Sequence, residues 1–257
     1  MSELSHIPES DYIFDKKMVC PICESKFTTK VMKSSKARKI GSDPDLRPLF
    51  NDFDSIKYGV CACPHCGYAA VHNQFDKIGG FQVKNIKKDI ADVYNPTDRS
   101  QATFYTYDMA IEMHKLAYLS ASSKLAKDGE KAYLCMLIAW LYRGKAQNEV
   151  SRLSNESERD IRLADCEKNE ERFYRLAYDG FSKAVMNENP PIMGLNQVTL
   201  DYLLSYMAFH FGELDTAGKL IGGVLTSSSA TQNIKDKAYD LKESIMAKMA
   251  ESKKSAN

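Results

Sequence analysis

No stretch of this chain is long enough and apolar enough to cross a bilayer: the longest apolar run, around Leu134 to Leu141, falls well short of the ~18 residues a spanning helix needs. The segment Met1–Pro8 lacks the basic start and apolar run of a secretory signal, so none is expected. A net charge of +1 over 257 residues provides no whole-chain field for nucleic acid or membrane. Catalytic signatures are missing too. The pairs Gly79-Gly80 and Gly222-Gly223 stand outside any phosphate-loop context, and neither H-E-x-x-H nor G-x-S-x-G occurs. His114 and His210 are isolated on helical stretches, where structural roles are expected, and the carboxylates are too scattered to nominate an acid/base pair. The expectation is a cytoplasmic, non-enzymatic protein with no catalytic residues, no membrane partner and no small-molecule substrate indicated.

Seven cysteines are present, and four of them fall in two pairs, Cys20-Pro21-Ile22-Cys23 and Cys63-Pro64-His65-Cys66. The remaining Cys61, Cys135 and Cys166 are odd in number and irregularly placed, which argues against a disulfide framework and for a reducing compartment. C-x-x-C is the spacing at which one tight turn aims two thiolates at one ion, and two such pairs supply a closed tetrahedral zinc site. We expect one structural zinc ion on Cys20, Cys23, Cys63 and Cys66. Uncoordinated thiols and a switchable dithiol are the alternatives.

Each pair sits between short strand-like segments. Lys26 to Met32 alternates polar and apolar after the first pair, while Ile56 to Val60 approaches the second and Tyr68 to Val71 leaves it. Proline at the second position pre-sets each turn, and Gly67 supplies a residue that tolerates positive φ; the first pair has Glu24 in that place. The pairs are separated by 39 residues, which suits a ribbon with an inserted loop over Ser34 to Asp54. His65 inside the second pair would be strained as a ligand; His72 is the better spare donor. Cys61 is either a buried strand residue or a reactive thiol beside the ion. A basic run through Lys26, Lys30, Lys33, Lys36, Arg38, Lys39 and Arg47 suggests nucleic acid, although acidic residues nearly balance it over the first 95 positions.

Beyond Pro96 the apolar spacing turns helical from about residue 98. Tyr105, Met109, Met113, Leu116 and Leu119 form one stripe, broken at Asp128-Gly129. A segment apolar nearly all round follows, including Cys135, Met136 and Trp140, as in a central buried helix. A long helix runs to Asn187 and stops before Pro190-Pro191. Three more helices follow with short turns. The stretch from Tyr206 to Ala217, with Gly212 between helices, resembles a tetratricopeptide helix–turn–helix unit. The fold class expected is mainly α, with a small N-terminal β zinc ribbon and an antiparallel tetratricopeptide-like helical bundle. The divisions expected are 1–95 for the ribbon, 96–250 for the helices and 251–257 for a disordered tail.

Taken together, Tyr12 to Lys17, Cys20 to Cys23, Phe27 to Lys30, Ser34 to Lys36 and Cys63 to Ala70 resemble the bacterial family catalogued as domain of unknown function 2225. The resemblance implies a bacterial cytoplasmic protein and supplies no reaction. The leading expectation is an interaction or scaffold protein that binds a protein or peptide through its helices. Nucleic-acid binding through the ribbon and the 26–47 loop, or thiol/metal redox sensing at Cys61, are the alternatives.

Overall fold

The computed structural model describes residues 8–255; residues 1–7 and 256–257 lie outside the described residues. Among the described residues the fold is mostly helical, with small antiparallel strand pairs near its start. Strand β1 (Ile13–Val19) pairs with β2 (Lys26–Met32), Met18 lying opposite Phe27. Beyond an insert that carries β3 (Lys39–Ser42) and β4 (Pro48–Phe50), strand β5 (Val60–Ala62) pairs with β6 (Ala69–Val71).

Every residue of β5 and β6 is buried, which requires both faces of the hairpin to be covered. The period of two explains how. Cys61 and Ala70 turn toward one cluster with Cys20, Phe27, Tyr68 and Ile86. Val60, Ala62, Ala69 and Val71 turn toward another with Met113, Ala117 and Ala121 of the second helix. Small alanines on strand and helix let the two approach closely. The ribbon is therefore built onto the helices through shared buried side chains on both sides of residue 95.

The helices follow in order: α1 (Gly80–Ile86), extended by a π turn over Lys87–Ala91, then α2 (Tyr107–Ser123), α3 (Asp128–Asn148) and α4 (Glu156–Asn187). After these come α5 (Gln197–His210), α6 (Leu214–Thr226) and α7 (Gln232–Ser255). Side-chain caps start four of them, α7 through Thr231, which accepts from the Ile234 N–H, and three others in the same way. Thr106, Asn155 and Asn196 accept hydrogen bonds from the backbone N–H of Met109, Glu158 and Thr199, each satisfying a donor that the first turn leaves without a partner. Leu134 to Tyr142 are buried without exception, so α3 is the central helix that its all-round apolar sequence predicts. Gly212, at φ 77°, ends α5. The Glu213 N–H reaches Ala208 O at 2.8 Å and the Gly212 N–H reaches Phe209 O at 3.1 Å, the paired bonds of a Schellman stop.

Four expectations need correction. Asp128-Gly129 does not interrupt a helix but opens α3, because the acidic first turn suits a helix N-terminus; the break lies just before it, where Leu125 has φ 55°. Helical structure does not begin after Pro96: α1 precedes it and α2 starts only at Tyr107. At the other end, α7 continues through Glu251 to Ser255, so those residues are helix rather than disordered tail. The fourth correction is the insert Ser34 to Asp54, which is a hairpin with a buried polar centre and not a solvated loop.

That centre anchors the insert to the helices. Asp45 is 0% exposed and accepts from Trp140 Nε1 at 2.7 Å and Arg143 Nη2 at 2.9 Å. Arg47, with a side chain 3% exposed, pairs with Asp54 at 2.8 Å. Asp54 also accepts from the Tyr107 hydroxyl at 3.1 Å and the Ile56 N–H at 3.0 Å. Buried charges persist only when paired and hydrogen-bonded in this way. Gly144 of α3 makes room for the group. A Cβ there would stand 2.7 Å from Asp54 Oδ2 and from Tyr107 Cε1, and 2.8 Å from Arg47 Nη2. Farther along, Tyr202 donates to Pro44 O at 2.7 Å and Lys237 donates to Ser42 O at 3.3 Å and Asp43 O at 3.2 Å, so the insert reaches α5 and α7.

Candidate metal centre

The two C-x-x-C turns repeat one another bond for bond. In the first, the Glu24 N–H reaches Cys20 O at 2.9 Å and the Cys20 N–H reaches Ser25 O at 3.0 Å; in the second, the Gly67 N–H reaches Cys63 O at 3.0 Å and the Cys63 N–H reaches Tyr68 O at 2.8 Å. Both turns need a left-handed residue after the second cysteine. Gly67 provides it at φ 73°, and Glu24 adopts it at φ 61°, where a side chain costs roughly 1–2 kcal/mol. Glycine at 67 has a second reason: a Cβ would meet the Tyr94 ring at 2.5 Å.

The turns bring all four predicted sulfurs together. Cys20 Sγ and Cys66 Sγ are 3.6 Å apart, as are those of Cys23 and Cys63, and the four ligand atoms lie within 4.8 Å of one another. An ion bound at ~2.3 Å to four sulfurs sets tetrahedral edges of about 3.8 Å. The cluster therefore fits a four-thiolate metal ion, with all four corners supplied by protein. Cys20, Cys63 and Cys66 are buried while Cys23 is exposed, so the centre lies at the rim of the ribbon.

Charge among these sulfurs is strongly interdependent. The Cys63 thiol is held low, first by S–H donation from Cys20, then from Cys66, with backbone N–H groups of Cys66 and His65 adding to it. Cys66 is pushed up, chiefly by Cys20. Four adjacent sulfurs do not all ionise without a cation between them, and backbone N–H groups such as that of Ile22, 3.4 Å from Cys20 Sγ, orient the donors toward thiolate.

The spare donors lie outside the four-sulfur cluster. Cys61 is fully buried and burial pushes its thiol up to about 12. His65 is exposed on its turn. His72 is held through Nε2 to Tyr58 O at 3.1 Å. The basic run is also divided: Arg47 is buried against Asp54 and Lys30 pairs with Asp15 at 2.9 Å. Sequence reasoning missed a cavity of about 940 Å³ beside the second turn, lined by Lys17, Lys26, Pro64 and Arg99 among others. Residues from four segments meet there, and no local spacing could have signalled it.

No helix of the described residues is long and apolar enough to cross a membrane. No match to the chain was found among curated proteins or among solved structures. The sequence model of one family matches residues 13–245, spanning both cysteine turns and nearly all of the helices. The chain thus belongs to the family described as uncharacterized protein conserved in bacteria, DUF2225.

Proposed function

We propose that the protein is a non-catalytic interaction protein stapled by one structural zinc ion. The observation that carries this reading is the four-sulfur cluster with its 3.6 Å edges. A thiolate quartet favours a soft or borderline ion over magnesium or calcium, and four protein ligands leave no corner for a reacting water. Zinc would hold the β1–β2 turn to the β5–β6 turn, and β5–β6 is sandwiched between that centre and α2. In this reading the ribbon, residues 1–95, positions the helical part, residues 96–250, and the helices take a protein or peptide partner in the cytoplasm, where thiols stay reduced. The tetratricopeptide-like arrangement is supported by α5 and α6, where Gly212 reverses the chain and the fully buried Ala217 lets α6 pack closely.

Elemental analysis tests the first half: one zinc per freshly purified chain is expected, and a metal-free folded protein would defeat it. For the second half, partners cross-linked to the wild type would be compared with those on Cys63→Ser. Loss of a specific partner with the ribbon disrupted supports positioning by zinc; retention of the same partner removes zinc from the interaction.

A further inference from the structure

The cavity beside the second cysteine turn contains an arginine of whose three nitrogens only one has a hydrogen-bond partner among the described residues. The Arg99 side chain is 7% exposed. Its Nη2 donates to Glu112 Oε1 at 2.9 Å and to the Tyr94 hydroxyl at 3.3 Å. Its Nε and Nη1 are buried without a hydrogen-bond partner among the described residues. A guanidinium donor left unmatched in the interior is costly, and such groups in native structures mark an unfilled role.

Around Arg99 the cavity combines charge with apolar surface. Lys17 and Lys26 add positive charge, while Met18, Phe27 and Tyr105 add apolar and aromatic wall. The single acidic lining residue, Asp98, turns its carboxylate back onto the Ser100 N–H at 2.8 Å. Lys26 makes no ion pair among the described residues. At about 940 Å³ the space is within the size range of small-molecule sites. Its wall is fixed to the metal centre: the Thr97 N–H reaches Pro64 O at 2.9 Å, and Tyr94, which packs on Gly67, donates to Thr97 Oγ1 at 3.0 Å.

We propose that this cavity binds a small organic anion, a phosphate or carboxylate carried on a flat apolar body, with the anionic group on Arg99 and Lys26 and the body against Phe27 and Tyr105. The site lies between the ribbon and the Pro96–Tyr105 segment that leads into α2, and its test does not depend on the partner proposed for the helices.

The test titrates the full-length, zinc-loaded protein by calorimetry with phenyl phosphate, benzoate and benzyl alcohol. Saturable binding of either anion is expected, at least about tenfold tighter than benzyl alcohol, because ion-assisted hydrogen bonds exceed neutral ones; the stronger arm identifies phosphate or carboxylate. Arg99→Lys, which keeps the charge and loses the fork of donors, should weaken the better anion by about tenfold. Equal affinity for the neutral analogue, or no saturation below about 10 mM, overturns the proposal. So does Arg99→Lys that retains the wild-type circular dichroism and the wild-type affinity. Should that variant fail to fold, Lys26→Ala decides: its exposed side chain is dispensable for folding, a loss of about threefold at low salt is expected from removing one surface charge, and unchanged binding overturns the assignment.

Discussion

Replacing Gly144 with alanine sets two effects of known size against each other. Alanine in a helix interior is preferred over glycine by about 1 kcal/mol. At this position, however, the new methyl would stand 2.7 to 2.8 Å from Asp54, Tyr107 and Arg47. None of the three can retreat freely: Asp54 is held by Arg47, Tyr107 and the Ile56 N–H, and Arg47 also donates to Gln147 at 3.0 Å. Overpacking costs roughly 1–3 kcal/mol, and separating a buried ion pair costs about 3–5 kcal/mol when complete. A partial separation plus overpacking exceeds the helix gain, leaving a net loss of about 1–3 kcal/mol. Gly222 is the internal control. It is an exposed helical glycine of α6, and a methyl group added there would have no neighbour within 4 Å, so the same substitution should gain about 0.5–1 kcal/mol. Urea and thermal melts of both variants are the assay, with about 2–4 °C in Tm per kcal/mol for a chain of this size. The two must differ in sign. Gly144→Ala as stable as wild type or more so would show that the Arg47–Asp54 pair is not held against α3 as described.

Other perturbations probe the same framework. Burial lowers His114 to about 4, so the unfolded state takes up its proton first as pH falls; stability should drop by about 1.5 kcal/mol between pH 6.5 and 5, and melts of His114→Gln should show a flatter profile, an unchanged slope refuting the assignment. Glu24→Gly relieves a left-handed side chain at φ 61° and should raise stability by about 0.5–1 kcal/mol, read from chelator-competition and thermal midpoints; a drop in both would mean that the Glu24 side chain contributes more than its backbone strain costs. Asp45→Asn removes the charge facing Arg143 and should cost about 2–4 kcal/mol in urea melts; a change below the error of the melt would count against a buried ion pair. Metal removal should undock the insert, and the only tryptophan, Trp140, reports it because its indole donates to Asp45 at 2.7 Å. A red-shifted emission on chelation is expected; unchanged emission from demonstrably metal-free protein would separate the centre from the insert.

What could be read from the residues alone follows from range of interaction. The C-x-x-C pairs, the β1–β2 and β5–β6 hairpins and the fully buried stretch of α3 are encoded by neighbours in the chain, and period and spacing expose them. Gly67 and Gly212 were legible because positive φ has a residue signature. The insert was not: its prolines, glycine and aspartates resemble a solvated loop, and only Trp140, Arg143 and Gly144, about a hundred positions away, turn Asp45 and Arg47 inward. Nor was α7 legible to its end, since a polar helix terminus and a polar tail share a composition. The cavity at Arg99 is the extreme case, because its walls come from segments with no common pattern.

The reach of the insert to α7 bears on how the chain folds as it is made. Both cysteine turns have emerged once the first 75 or so residues have been synthesised, and a metal ion can join them at that stage. The carbonyls of Ser42 and Asp43 acquire their partner only when Lys237, 195 and 194 positions away, has been made. Within that interval α2 and α3 emerge first and offer the insert Tyr107, Trp140 and Arg143, so its buried polar centre can form before α7 is made. Contacts of such sequence separation form late, so the insert docks in stages, on α3 first, on α5 through Tyr202 next and on α7 through Lys237 last.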